Sequence, residues 1–386
     1  MQVYLDHAAT TPVLPQVVDA MSDFMREHFG NPSSLHAFGA DSKKYLERAR
    51  EQVAALIGAP AEQLYFTSGG TEADNIAIFG CAMYQARQGR RHIITSAVEH
   101  HAVLESCEEL AKQGFELTVL PVDEYGMVSV QSLREALRED TALVTVMHAN
   151  NEVGTINPIR ELAALAHQAG AVMHTDSVQS AGKIPCDVGE LGVDMMSISS
   201  HKINGPKGVG ALYKKPDIPL YRRVYGGGQE HKLRSGTENM PGIVGFGVAA
   251  EYAAAAWRRE TAAWRELRDM LVSGVLNGIP YSRLNGHPSE RLPHNANFSF
   301  DYIEGEALLL HLDLSGIACS SGSACSSGEM EPSHVLKAMG LGNNWLHSAL
   351  RFSLGYGNNA EQIAYTIQVL KDKVELLRAA SPFYNK

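Results

Sequence analysis

No two of the five cysteines, Cys81, Cys107, Cys186, Cys319 and Cys325, form a C-x-x-C pair, and their number is odd. That pattern argues against a disulfide framework or a thiolate zinc site and implies reduced thiols in a cytoplasmic protein. No run of 18 apolar residues occurs, so no membrane-spanning helix is expected. The start, Met-Gln-Val-Tyr-Leu-Asp-His, lacks the basic and apolar regions of a signal peptide. Positive charge is in deficit: 33 Lys and Arg face 43 Asp and Glu, a net charge of −10. Nucleic acid and anionic membranes are therefore not expected as main partners. What remains is a soluble globular chain of 386 residues, 45% hydrophobic, long enough for a large domain with a smaller one appended.

From about residue 45 to 215, short apolar runs alternate with helical patterns. The runs predict strands at Gln63–Phe66, His92–Thr95, Leu117–Pro121, Leu143–Met147, Val172–Thr175, Met195–Ile198 and Gly210–Tyr213. Apolar residues recur at three- and four-residue spacing in Ser132–Leu137 and Ile159–Gln168, which predicts helices there. The alternation implies an α/β fold with a largely parallel sheet covered on both faces. An Ala-rich helix is expected from Pro241 to about Leu276. Beyond it, strands (Asn295–Phe300, Gly316–Ser320) mix with helices (Gly305–Leu312, Ala360–Ala380).

Ligands of such sheets bind beyond the carboxyl ends of the strands, so the residues just after each run matter most. "TSGGTEADN", 67–75, offers small residues and hydroxyls ahead of a helix, which makes either a phosphate cradle or a helix capped by Thr71. No Gly-Lys-Ser/Thr follows, which rules out a Walker loop. Asp176 follows Val172–Thr175 as a ligand carboxylate or a helix cap. Lys202 lies in "SSHKINGPKGVG", where an interior strand opens into a loop and partial desolvation favours a neutral, nucleophilic amine. Ser199 and His201 flank it. His100 in "AVEHHAVL" could stack on a ring, and Asn150 and Asn151 in "HANNEVGT" could hydrogen-bond a ring hydroxyl or a substrate. The loop "YGGGQEHKLRSGTEN" carries Arg234 and Thr237 as a surface turn or as further phosphate donors. Arg351, among apolar residues, serves a buried ion pair or recognises a substrate carboxylate. A desolvated lysine, an acid on a neighbouring strand and a phosphate cradle together fit pyridoxal 5'-phosphate.

Cys325 is set apart from all of these. It lies in "SSGSACSSGEMEPSHVL", 320–336, a Ser/Gly loop with no apolar neighbours, and its surroundings duplicate those of Cys319. Glycine and serine leave such a backbone free to move.

The runs "YLDHAATTP", "GNPSSLH", "TSGGTEADN", "EHHAVL", "ANNEVGT", "HTDSVQSAGK", "SSHKINGPKGVG", "GGGQEHKLRSGTEN" and "SSGSACSSGEMEPSHVLKAMGL" resemble the cysteine desulfurase family of NifS/IscS type, from residue 3 onward. The resemblance implies fold type I of the pyridoxal-phosphate enzymes, with a mostly parallel seven-stranded sheet. A large domain at 13–255 would bind the cofactor. Residues 1–12 with 256–386 would form a small α+β domain carrying a mobile cysteine loop at about 320–332. In this likeness Lys202 is the Schiff-base lysine, Asp176 pairs with the ring nitrogen and Gln179 bonds the phenolic oxygen. His100 stacks on the ring and moves protons. Gly70, Thr71, Ser199 and His201 hold the phosphate, joined by Thr237 from the other subunit of a homodimer. Asn151 contacts cofactor and substrate, and Arg351 holds the carboxylate of L-cysteine.

The family's reaction would leave a persulfide on Cys325 and release L-alanine. Cys325 fits the S-G-S-A-C motif, whereas Cys319 follows an apolar stretch and is the less mobile thiol. The sulfur would pass to an iron–sulfur scaffold or another acceptor protein, with Cys325 as a transient ligand of a nascent [2Fe–2S] cluster. Selenocysteine cleavage, an aminotransferase on the same fold and a non-catalytic sulfur carrier are the alternatives.

Overall fold

A computed structural model describes residues 1–321 and 332–384. The described strands are β1 (Val3–Tyr4), β2 (Leu64–Thr67), β3 (His92–Ser96), β4 (Glu116–Leu120), β5 (Thr141–Thr145), β6 (Val172–Asp176), β7 (Met195–Ser199), β8 (Gly210–Lys214), β9 (Ser282–Asn285), β10 (Asn295–Phe300), β11 (Ile317–Ala318) and β12 (Ala349–Ser353). Seven of them make one sheet in the order β2-β8-β7-β6-β5-β3-β4. Strand β8 pairs antiparallel with both β2 and β7, and the remaining pairs are parallel. This is the mostly parallel α/β sheet of fold type I. Strands β3, β5, β6 and β7 are buried at every position, which is why they read as continuous apolar runs. Strand β4, at the edge, is mostly uncovered.

Four α-helices precede β4 in the chain: α1 (Pro15–Glu27), α2 (Ala37–Leu56), α3 (Gly70–Ala86) and α4 (His101–Lys112). Helices α1 and α2 pack on one side with the 39-residue helix Met240–Gly278. Helices α3 and α4 cover the other. The first two were not expected from the apolar pattern. Apolar residues of α1 do recur at helical spacing, at Val17, Met21 and Phe24, but of these only Val17 and Phe24 are buried.

The long helix contributes Met240 and Ala253 to the core against the sheet, and Leu271 and Val275 to a second core. That second core holds Val3, Leu5, Phe298 and Phe352. The three-stranded sheet β12-β10-β9 builds it, and the parallel pair β1–β11 adds the chain's start. Each fully buried phenylalanine there contributes about 1.5–3 kcal/mol of burial. The helices expected at Ile159–Gln168 and Ala360–Ala380, and the strand at Asn295–Phe300, have those bounds. The strand expected at Leu143–Met147 instead ends at Thr145, and that expected at Gly316–Ser320 spans only Ile317–Ala318.

Candidate active site

Strands β2, β7 and β6 all end on one side of the sheet, and their last residues lead directly into the candidate groups. Asp176 closes β6 and is buried; its Oδ1 accepts from Val178 N at 2.8 Å. Burial raises its carboxyl above the usual range, while His100, the Val178 N–H and Lys202 pull the other way. His100 is the N-cap of α4, where its Nδ1 accepts from Ala102 N at 3.1 Å. That bond leaves Nε2 as the proton-bearing nitrogen of the neutral ring. Burial lowers this imidazole, with Asp176 opposing.

Lys202 sits in the single turn Ser200–Lys202 that ends β7. Its Nζ donates to Ala8 O at 2.6 Å and Ala9 O at 2.8 Å, so the segment after β1 reaches across to the sheet's edge. Gln179 Nε2 donates to the same Ala8 O at 2.9 Å, and its Oε1 is buried without a hydrogen-bond partner among the described residues. His201 Nδ1 lies 3.1 Å from Thr10 Oγ1, and burial pushes its imidazole down to about 4. Ser199 is buried beside it.

Helix α3 begins at Gly70 with Gly69 as N-cap and no side-chain cap. Thr71, the alternative cap, is instead inside the helix and exposed. A Cβ on Gly69 would meet nothing within 4 Å, whereas one on Gly70 would stand 2.7 Å from Val178 Cγ2. The helix end is therefore open at Gly69 and tight at Gly70, and the first-turn N–H groups of an uncapped helix suit an anion. Glu72 takes Ser68 N and, at 3.2 Å, Arg234 Nε. Asp74 is buried, not exposed at the helix's positive end. Burial and then the Asp176 carboxylate raise it well above the usual range. His174 lies 3.7 Å from Asp74 but is itself pushed down to about 3 by burial, so that contact joins two neutral groups.

The two asparagines part company. Asn150 is engaged on both sides of its amide: its Oδ1 accepts from Glu152 N and Val153 N in its own turn, and its Nδ2 donates to Val98 O, 52 residues away in the chain. It is a structural residue. Asn151 is half-buried, and its carbonyl accepts from Arg351 Nη1 at 3.0 Å. Arg351 Nη2 donates to Asp6 Oδ1 at 2.8 Å, while Nε is buried and unpartnered among the described residues. Thr237 is exposed on the 225–239 loop.

Cys325 lies outside the described residues, but both flanks of 322–331 are anchored at the site. Ser320 and Arg351 exchange two backbone hydrogen bonds, 3.1 and 2.6 Å. On the far side, Ser333 Oγ donates to Glu152 Oε2 at 2.5 Å and His334 Nε2 bonds Glu99 O at 2.9 Å. The four described thiols are free. Burial pushes Cys81 and Cys186 up to about 12 and also raises Cys107 and Cys319, so none favours a thiolate. The described residues contain no group of three or more ligands fit for a metal ion, and no described helix is long and apolar enough to cross a membrane.

Asp6, Glu99 and Lys183 were not singled out from the sequence. They stand inside the quoted runs "YLDHAATTP", "EHHAVL" and "HTDSVQSAGK", and only that membership pointed to them.

Residues 3–365 match the family Aminotransferase class-V. The chain is 51% identical over 382 residues to Cysteine desulfurase IscS of Dictyoglomus turgidum, covering 99% of this chain and 97% of that protein. It is 49% identical to Cysteine desulfurase IscS of Methanosarcina thermophila, over 100% of this chain and 95% of the relative. Among solved structures, a NifS-like protein superposes with a TM-score of 0.92 at 37% identity, covering 98% of this chain and 100% of that one. The chain belongs to the class-V aminotransferase family and, within it, to the cysteine desulfurases of NifS/IscS type.

Proposed function

We propose that this protein converts L-cysteine to L-alanine and takes the sulfur as a persulfide on Cys325. The observation that carries the reading is the meeting of Lys202, Asp176 and His100 beside the open end of α3, with both flanks of the cysteine segment anchored there. Pyridoxal 5'-phosphate is the family's cofactor, and when bound it supplies an electron sink beside the substrate's α-carbon. The residues fit it: the unpartnered Gln179 Oε1, the uncapped helix end at Gly69–Gly70 and the buried Asp176 are groups awaiting a polar ligand.

In this reading Lys202 holds the cofactor covalently, Asp176 keeps a proton on its ring nitrogen and Gln179 orients its oxygen substituent. Gly70 and Thr71 present backbone N–H groups to the phosphate, with Ser199 and His201 alongside. His100 covers the ring and presents a proton at Nε2. Arg351 orients the substrate carboxylate, with the half-buried Asn151 at its side. Cys325, as a thiolate, takes the substrate's sulfur: the S–S bond forms as the substrate's Cβ–S bond breaks. The electron pair stays on Cβ, and a proton then makes the methyl group of L-alanine. The raised thiols of Cys81, Cys107, Cys186 and Cys319 support assigning that role to Cys325.

Two finer points belong to the same proposal. The chain works as a homodimer in which Thr237 reaches the partner's phosphate site; its exposure on the 225–239 loop, and the exposed Phe29, Leu35 and Phe38, supply surface for such an interface. The persulfide goes to an iron–sulfur scaffold or another sulfur acceptor, during which Cys325 transiently ligates a [2Fe–2S] cluster. The large unit spans 13–255 and the small one joins 1–12 to 256–386, in a cytoplasmic protein.

The test is to expose the purified protein to L-cysteine without reductant and weigh the peptide holding Cys325. Added sulfur there, with L-alanine released, supports the reading. An unmodified Cys325 in a cofactor-loaded protein would overturn it, and aminotransferase substrates would come next.

A further inference from the structure

Behind Lys202 lies a second amine with nothing to hold it. Lys183 is buried on the turn that follows β6, and its Nζ has no hydrogen-bond partner among the described residues. Lys183 and Lys202 line one cavity of about 20 Å³ together with His7, Tyr252, Glu260 and Trp264. That is room for about one water molecule. An ammonium in such a place is costly unless it is paired.

The groups around Lys183 do not supply a counter-charge. Lys202 and Arg351 are cations, and both repel it. His7 and His294 are buried with both ring nitrogens unpartnered among the described residues, and burial is the main cause that lowers each imidazole, so neither supplies a charge. His201 is likewise kept neutral. Cys186, three residues on, is a buried thiol whose ionisation burial opposes. Glu260, whose carboxylate accepts from the Tyr252 hydroxyl, also lines the cavity, but it is not among the groups that act on the Lys183 charge. Burial, then Lys202, push Lys183 down to about 7.

Lys202 is placed differently. Two carbonyls accept from its Nζ and Asp176 lies near, so Lys202 is the better home for a proton. Two amines lining one small cavity do not both stay charged near neutrality, because each charge raises the cost of the other. The shared proton therefore rests on Lys202, with Lys183 beside it as an empty base.

We propose that Lys183 is the proton acceptor for Lys202. One proton leaves the Lys202 ammonium, crosses the shared cavity through a water and arrives on the Lys183 amine, so that Lys202 becomes a neutral nucleophile and Lys183 a cation. Charge and protons balance without any further reactant. Lys183 is a positioning residue, acting on the reaction through Lys202 alone. The inference rests on the reading of Lys202 as the cofactor lysine.

The test follows the rate at which pyridoxal 5'-phosphate attaches to the cofactor-free full-length protein between pH 6 and 10, by absorbance. Borohydride reduction and peptide mass then identify the modified lysine. In Lys183→Met and Lys183→Gln the pH of half-maximal rate should move up by about one unit or more, toward the ordinary lysine range near about 10.4. Attachment at pH 7.5 should slow by about tenfold or more. Thermal stability should hold or rise, because an unpartnered buried amine has been removed. An unchanged pH profile with attachment at Lys202 overturns this inference alone. Attachment at another lysine overturns the reading beneath it as well. Failure of both variants to fold, or equal slowing at every pH, would assign Lys183 a structural role and overturn the proposal.

Discussion

Asp6 and Arg351, 345 residues apart in the chain, are joined by a 2.8 Å hydrogen bond from Nη2 to Oδ1. The bond fixes the guanidinium from one side, and the Asn151 carbonyl fixes it from another. A fork held by two of its nitrogens offers a carboxylate a pre-set partner, which is what recognition of an amino acid needs.

Asp6→Asn should therefore raise the KM for L-cysteine several-fold with a smaller effect on kcat. It should also lower the melting temperature, since a charge-assisted bond contributes about 1.5–3 kcal/mol. Steady-state kinetics on the folded variant are the check. An unaltered KM would remove Asp6 from any part in substrate binding.

Arg50 and Glu230 form a fully buried pair, with Nη1 and Nη2 donating to the carboxylate at 2.8 and 2.9 Å. Glu230 also accepts from Phe66 N at 2.8 Å, and it opens a run, Glu230-His231-Lys232, in which every φ is positive. The pair thus clamps the loop carrying Thr237 onto β2 against local backbone strain. Removing one partner, as in Glu230→Gln or Arg50→Met, should cost about 3–5 kcal/mol by denaturant unfolding. The double variant should cost clearly less than the sum, because no charge is left stranded.

Glu99 is buried beside His100, and burial pushes its carboxyl up to about 8 from an ordinary 4.5. A carboxyl raised by folding contributes most stability at low pH, where it is protonated in both states. That contribution is lost as pH rises from about 4.5 through about 8. Glu99→Gln, which keeps an acceptor for Met147 N, should therefore gain stability relative to the parent as pH climbs through that window. Melting temperatures of the two proteins at pH 5 and pH 8 decide it; a constant difference would contradict the burial argument.

Gly70 stands where a Cβ would press on Val178 Cγ2 at 2.7 Å. Gly70→Ala should push the start of α3 off its place and weaken pyridoxal 5'-phosphate binding by about tenfold, roughly 1.4 kcal/mol. Val178→Ala in the same chain should restore much of the affinity by opening the space. Equilibrium titration of the cofactor-free protein reads both. Equal affinity in the Gly70→Ala variant would mean that the helix end does not cradle the phosphate.

Much of this site is legible in the amino-acid order. Lys202, Asp176 and His100 stand just after apolar runs, and a buried parallel strand delivers the next residues of the chain to one edge of the sheet. What misled were residues judged by neighbours in sequence. Asn150 looked like a ligand group, yet it is used up by three contacts in its own turn and one to the distant Val98 carbonyl. Thr71 looked like a helix cap, yet α3 starts at Gly70 and leaves Thr71 exposed within its first turn.

By itself the sequence determined what depends on contacts a few residues apart: the buried strands of the sheet, several of the helices beside them and the identity of the reactive side chains. Its motifs also determined the family. Only the tertiary structure decided which distant groups share a dielectric environment. It brought Asp6 to Arg351, turned Ala8 and Ala9 toward Lys202 and placed Lys183 on the same cavity. The reason is physical: periodicity records which side of an element is covered, but a proton's preferred home depends on charges and dipoles converging from elements far apart in the chain.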